Sequence, residues 1–321
     1  MAQVIHADEM DFAAYLQQTE ASTKVRPAGE WVRQLIDDLG KQVYEPKAYL
    51  PWEKSHPLFA FRPGEVTLWA GVNGHGKSLM TGLASLSLIA QEERCAIASF
   101  EMKPRKTIER MARQWSGQRP AGDWMQDAEV QAVYRDLYEQ FDVFTQNKLW
   151  LYDQQGTVKR DVILGVMRYC AVELRIKQFV LDSLMKCVAG EDDYNGQKAF
   201  IDEATSIARD TGMHVHVVHH LRKLGHEGDQ PDKSDVKGTG AIADQVDNIL
   251  LVWRNKKKEA DQAVGKAVAA DEPDARLICC KQRNGEWEGR FALWFDAESQ
   301  QYLPAAGASA MNLGAWPHRS I

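Results

Sequence analysis

Residues 62 to 92 read RPGEVTLWAGVNGHGKSLMTGLASLSLIAQE, and the octet at its centre, GVNGHGKS from Gly71 to Ser78, decides the fold. It satisfies G-x-x-x-x-G-K-[S/T] in full. Upstream, Arg62-Pro63-Gly64-Glu65 is turn chemistry, and the β-branched and aromatic run Val66-Thr67-Leu68-Trp69-Ala70 predicts a strand. Downstream, Leu79 to Gln91 is rich in Leu, Ala and Ile with Gly82 as its one interior glycine, which predicts a helix whose first turn starts inside the octet. A glycine-rich turn can match the bare pattern by chance. The strand before and the helix after argue against chance here.

That order has a chemical reason. Glycines let successive backbone N–H groups converge on phosphate oxygens, and the helix N-terminus adds partial positive charge where the anion sits. Lys77 then neutralises the β and γ phosphates of ATP, and the Ser78 hydroxyl ligates Mg²⁺. The expected nucleotide-binding positions are Gly71, Asn73, Gly74, His75, Gly76, Lys77 and Ser78. Asn73 and His75 also tolerate turn geometry on their own account.

With 321 residues, the chain can bury one large α/β core plus a small appendage. Its 44% hydrophobic and 26% charged residues are those of a soluble globular protein. No apolar run reaches the roughly 18 residues of a membrane span, and Asp8, Glu9 and Asp11 are wrong for a secretory signal. A cytoplasmic protein is expected. The five cysteines lack paired metal spacing and read as mostly buried thiols. The net charge of −6 excludes a uniformly basic surface, although a lined channel can still hold nucleic acid because distribution decides that contact.

Along the chain, 1–45 reads as an N-terminal extension. Within it Gly29 to Leu39 places Trp31, Val32, Leu35, Ile36 and Leu39 at helical spacing, and Asp11 to Glu20 could form another short helix. Cys95 to Phe100 predicts a strand that delivers Glu101, either a general base for water attack or the start of the next helix. Val130, Val133, Tyr134, Leu137, Tyr138 and Phe141 form a stripe expected in the core. Leu149 to Asp153 predicts a strand, and Asp161 to Ile176 a helix with Val162, Val166, Tyr169, Cys170 and Val172 inward. Phe179-Val180-Leu181-Asp182 is an apolar strand delivering an aspartate to the Mg²⁺ shell opposite Ser78.

A helix from Ala199 to Arg209 precedes a strand, Met213 to Val218, which ends at His219-His220. Five nearby histidines raise the question of a metal site, but neither Cys nor carboxylate completes a zinc pattern, and a γ-phosphate contact suits His220 better. Leu224 to Thr239 is a charged excursion in which Arg222, Lys223, Lys233 and Lys237 are available to phosphates, diluted by four acidic residues. Asn248 to Trp253 predicts a strand, 256–274 an exposed connection, and Arg276 to Cys280 and Arg290 to Phe295 two more strands. Lys281 and Arg283 point the same way from an extended segment, suiting a pair that crosses an interface or one that flanks a hairpin at Asn284-Gly285. Residues 304–321 read as disordered.

These signals together resemble the ATPase domain of the DnaB-type hexameric replicative helicases, including the helicase halves of phage and mitochondrial primase-helicases. They are RPGEVTLWAGVNGHGKS, SFEM at 99–102, FVLDS at 179–183, VVHHLRK at 217–223, KGTGAIADQVDNILLVWR at 237–254 and KQRNG at 281–285. The resemblance implies a RecA-like P-loop NTPase: one doubly wound, mainly parallel sheet flanked by helices over 46–303, with a short N-terminal helical extension. It implies that Glu101 polarises water, Asp182 is the Walker B aspartate, His220 senses the γ-phosphate, and Lys281 with Arg283 acts on a neighbour's nucleotide. Arg222 and Lys223 with the loop to Lys237 resemble the DNA-binding loop, Phe295 the adenine-stacking position, and the helix around Trp31 to Leu39 the linker helix that closes the ring.

The implied activity is an ATP-dependent helicase motor on single-stranded DNA, 5′ to 3′, in a homo-oligomer of six, in a bacterial or phage-infected cell. Primase or a loader are the implied replication partners, and no zinc module, primase domain or full helical N-terminal domain is expected within these residues. The competing reading is a recombinase-like or adaptor RecA relative that binds DNA or protein without unwinding. The presence together of base, sensor and paired cations favours the motor.

Overall fold

The computed structural model describes residues 3–5, 27–39, 46–118, 127–190, 192–221, 229–236 and 240–313. Alternation along the strands builds the molecule. In β2 (Val66–Gly71), Val66, Leu68 and Ala70 enter one apolar cluster and Trp69 the other. In β3 (Cys95–Ser99) the same period sends Ala96 and Ala98 one way, Cys95 and Ile97 the other. Both faces are therefore buried, as a parallel sheet requires when helices cover each side.

The other strands are β1 (Gln3–Ile5), β4 (Leu149–Tyr152), β5 (Gln178–Asp182), β6 (His214–His220), β7 (Asn248–Arg254), β8 (Ala275–Gln282), β9 (Gly289–Asp296) and β10 (Gln301–Leu303). The sheet order is β1-β4-β3-β5-β6-β2-β7-β8-β9-β10. The strands from β1 to β7 in that order pair in parallel, and β8, β9 and β10 close the far side antiparallel. The doubly wound, mainly parallel expectation holds.

One face is covered by α5 (Arg160–Val172), α6 (Tyr194–Thr211) and the short α7 (Gly240–Gln245), and the other by α2 (Lys77–Ala90), α3 (Pro104–Ser116) and α4 (Ala128–Thr145). Helix α8 (Lys256–Ala263) follows β7, and α1 (Ala28–Asp38) precedes the domain. Among the described residues, no helix is long and apolar enough to cross a membrane.

Several expectations are corrected. Of the α4 stripe only Phe141 is buried; Val133 and Tyr138 are exposed, because α4 meets α3 along one edge and leaves an open groove of about 1080 Å³ lined by Tyr134, Leu137 and Tyr138. Val172 is exposed at the end of α5, whose inward positions are Ile163, Leu164, Val166, Met167 and Cys170. The connection 256–274 is not simply exposed, since Lys258 is buried with its ammonium 2.7 Å from Asp274 Oδ1. Residues 304–313 are anchored to the domain at their end: Leu313 is buried, and Met311 exchanges hydrogen bonds with the Gln301 side chain. The possible helix at Asp11 to Glu20 lies outside the described residues.

Candidate functional site: a phosphate loop on the carboxyl edge of the sheet

Strand β2 ends at Gly71 and α2 starts at Lys77, so the octet is a loop from strand end to helix N-terminus as its sequence predicts. Gly74 and Gly76 take φ of 79° and 87°, the left-handed region that a Cβ disfavours. Gly71 is needed for space, since a Cβ there would lie 2.7 Å from the Val252 carbonyl oxygen. Lys77 folds back over the loop and donates to the Gly71 carbonyl at 2.8 Å and to Val72 O at 3.3 Å. Burial lowers its pKa, while Asp182 and Glu101 pull it back up. A cation held over loop carbonyls is poised to move onto an incoming phosphate.

Parallel register brings the acids to the same edge. Ser99 of β3 pairs with Asp182 of β5, and Ser78 Oγ donates to Asp182 Oδ2 at 2.5 Å. Burial pushes the Asp182 carboxyl up, opposed by the Ser78 hydrogen bond, Lys77 and Arg110, with Glu101 adding to the rise. Two hard oxygen donors meeting at the mouth of a phosphate loop fit Mg²⁺, which prefers carboxylate, hydroxyl and phosphate oxygens. Glu101 follows β3, with its side chain about half exposed and Oε1 4.0 Å from Lys186 Nζ.

His220 closes β6 in register with Gly71, at the phosphate-loop level. Phe295, on β9, stands with its ring centroid 5.3 Å from that of Tyr302, the residue that touches the loop. Asn73 and His75 lie within the octet, and His75 is buried: its Nδ1 accepts from the Arg254 backbone at 3.3 Å, and burial lowers its pKa to about 4, so it is a neutral loop anchor.

Lys281 and Arg283 are elsewhere. Strand β8 runs antiparallel to β7, so Lys281 pairs with Ile249 near the start of β7, and Arg283 N donates to Asp247 O. Asp247 in turn accepts from Val66 N at the start of β2, five residues before Gly71. At about 3.3 Å per residue that is roughly 16 Å from the phosphate loop, on the opposite edge. There Lys281 Nζ donates to Ala243 O and Asp244 O, and Arg283 to Asp244 O, capping the C-terminus of α7. Burial, then Arg283, lowers the Lys281 pKa.

Of the expected DNA contacts, Lys233 lies in a single 3₁₀ turn, Lys233–Asp235, while Arg222, Lys223 and Lys237 lie outside the described residues. The histidines His214 and His216 are core groups. His214 Nδ1 bonds Arg62 O at 2.7 Å and its Nε2 bonds Thr67 Oγ1 at 2.8 Å; His216 accepts from Trp69 Nε1 and bonds Gln178 Oε1.

Three site residues escaped sequence reading. Tyr302 places its hydroxyl where a Cβ at Gly76 would go. Arg254 donates from Nη1 to Gly74 O and pairs with Glu259 on α8. Arg110 on α3 lines a small cleft with Ser78, Ser99 and Asp182. Of these only Arg254 carried a local signal, a charged residue ending an apolar strand on the carboxyl edge.

The family model described as the DnaB-like helicase C terminal domain matches residues 57–303. A DNA helicase/primase of Enterobacteria phage T3 is 25% identical over 216 residues, 63% of this chain and 38% of that protein, so the chain matches well under half of that relative's length. Among solved structures, the ATPase domain of G40P superposes with a TM-score of 0.67 at 15% identity, covering 89% of this chain and 99% of that one. A structure of a DnaB-like replicative helicase, described together with its interactions with primase, gives a TM-score of 0.67 at 14% identity over 89% of this chain and 67% of that one. The fold is the RecA-like P-loop NTPase fold.

Proposed function

Because the chain belongs to the DnaB-like helicase C-terminal domain family, we propose that it is an ATP-hydrolysing motor that moves 5′ to 3′ along single-stranded DNA and separates the duplex. It works as a ring of copies, six by resemblance, with primase or a loader as replication partners. The observation that carries this reading is the division of cations between the two edges of one sheet. Lys77, Ser78, Asp182 and Glu101 share the carboxyl edge, while Lys281 and Arg283 occupy the opposite one.

On the carboxyl edge, Lys77 binds the β and γ phosphates and the loop N–H groups hold their oxygens. Ser78 and Asp182 would hold Mg²⁺, which when bound neutralises charge on the phosphates. Glu101 orients the attacking water and accepts its proton, and His220, level with Gly71, contacts the γ-phosphate. Phe295 stacks on the adenine. Arg222, Lys223, Lys233 and Lys237 bind phosphates of the strand.

Lys281 and Arg283 cannot reach their own subunit's nucleotide across roughly 16 Å of strand. They serve the next subunit, and repetition of that head-to-tail contact gives a ring. Val32, Leu35 and Ile36 on α1 and Leu39 just after it, all about half exposed or more, supply the apolar tether to the neighbour.

Subunit mixing tests the reading. Arg283→Ala leaves the phosphate loop intact, and Lys77→Ala leaves the arginine intact. Each alone hydrolyses little ATP, whereas a mixture regains DNA-stimulated turnover at interfaces that pair an intact loop with an intact arginine. Full activity of Arg283→Ala protein, or of wild type shown to be monomeric, rules out the trans arrangement and favours a non-unwinding ATPase.

A further inference from the structure

The loop after β5 brings a cation onto the residue proposed as the base. Lys186 ends the 184–186 turn, and its backbone is pinned: its N–H donates to Ser183 O at 3.0 Å, and its carbonyl accepts from Val158 N at 2.9 Å. The four-carbon stem is not pinned, and it carries Nζ to 4.0 Å from Glu101 Oε1. Both partners face solvent, Lys186 with 38% and Glu101 with 53% of the side chain exposed, so a large anion can compete for the ammonium.

The surroundings favour such an anion. Beside Lys186, a groove of about 520 Å³ runs between the segment leading into α5 and the segment leading into α6, lined by Val158, Lys159, Arg160, Cys187 and Val188. Arg160 is already paired with Asp161 and Glu203, and Asp193 caps α6 through Gly196 N. Exposed Lys159 and the partly exposed Lys186, whose own pairing is a long one to Glu101, are then cations that a phosphodiester chain laid along this edge can draw on.

We propose that Lys186 restrains Glu101 until a phosphate of the bound single strand draws the ammonium away, so that DNA occupancy frees the base. The inference rests on the motor reading above and adds the coupling step to it. An oxygen shared with an ammonium is turned from the water it must take a proton from. When the stem swings to a phosphate, both carboxylate oxygens are free for the attacking water. The contact is surface-exposed and weak, which suits a restraint that must be lifted in every cycle.

The test is steady-state ATP hydrolysis by the full chain, with and without oligothymidylate, for wild type, Lys186→Met and Lys186→Arg. Lys186→Met raises the DNA-free rate about two- to fivefold, the range an exposed ion pair supports, and lowers the stimulation ratio by the same factor. Lys186→Arg, which keeps the charge, keeps the ratio high. Binding of oligothymidylate by Lys186→Met shows a log–log salt slope smaller by roughly 0.7, one phosphate contact. A purely structural lysine would not raise the basal rate on removal. An unchanged or lower DNA-free rate in Lys186→Met, with wild type still stimulated, overturns the restraint alone. An unchanged salt slope overturns phosphate as the releasing group, and wild type that DNA does not stimulate overturns both the restraint and the motor reading.

Discussion

Gly76→Ala is the sharpest test of the phosphate loop as a shaped object. Gly76 sits at φ 87° and ψ 21°, where a residue with a Cβ pays about 1–2 kcal/mol. The added Cβ would also overlap the Tyr302 hydroxyl, with the ring carbon Cζ at 3.3 Å. Tyr302 cannot easily yield. It is buried in β10, its carbonyl accepts from Trp52 Nε1 at 2.6 Å, and its ring rests on Phe295. Overpacking at such a place adds about 1–3 kcal/mol.

The sum, about 2–5 kcal/mol, is relieved when the loop abandons its nucleotide-binding shape, so it reappears as weaker binding. Titration with a fluorescent ATP analogue should show affinity lowered at least about 30-fold, at about 1.4 kcal/mol per tenfold. The two parts are separable. Tyr302→Phe removes the overlapping oxygen and leaves the backbone strain, so Gly76→Ala/Tyr302→Phe binds more tightly than Gly76→Ala alone, yet about tenfold more weakly than wild type. Binding by Gly76→Ala within about threefold of wild type refutes the geometry. A double variant no better than the single one refutes the assignment of the clash to Tyr302.

Glu101→Gln keeps size and hydrogen bonding but loses the proton acceptor, so turnover falls about 10²- to 10⁴-fold while the analogue still binds; parallel loss of binding makes Glu101 structural. Stability is expected to fall as pH drops from about 6.5 to about 4. Burial holds His214 at about 4 in the fold, so the unfolded chain binds more protons across that window, and His216, held well below its ordinary value by burial, acts in the same direction. Glu65 and Glu93, whose carboxyls burial raises, act in the opposite sense, so urea midpoints at pH 7 and pH 5 measure the difference. Leu35→Asp with Ile36→Asp leaves the core untouched, because both side chains are about half exposed, but dissociates the assembly in sedimentation; an intact oligomer removes α1 as the tether.

What could be read from sequence follows from how far each signal travels along the chain. The phosphate loop, the strand ending in Asp182 and the strand that leads into Glu101 are local patterns, each complete within about a dozen residues, and parallel pairing then brings their ends to one edge. Helix α1 was legible from spacing alone. The α4 stripe was misread because helical periodicity reports that a face is apolar, not that a partner covers it, and α3 covers only part. The anchoring of 304–313 was missed because it depends on Gln301, one polar side chain that bonds backbone atoms of Gln114 and Met311 in two separate segments and leaves no periodic trace. Tyr302 was illegible for the same reason: it meets Gly76 from 226 positions away, through a three-residue strand too short to register.

The two edges of the sheet are joined through one carboxylate, Asp247. Lys281 and Arg283 were read as a same-facing pair, and they do face together, onto the α7 carbonyls. Two adjacent cations repel, and the partial burial of Lys281 lowers its pKa, so the pair is held by helix-end dipoles and by Asp247, 3.2 Å from Arg283. The same Asp247 accepts from Val66 N, the first residue of the strand that ends in the phosphate loop. One buried carboxylate thus joins the cations proposed for the neighbour's nucleotide to the root of the strand that presents this subunit's own. Any movement of Arg283 toward a neighbouring phosphate must release or drag Asp247, and β2 with it. In a ring, that linkage would let each nucleotide site respond to the state of the next.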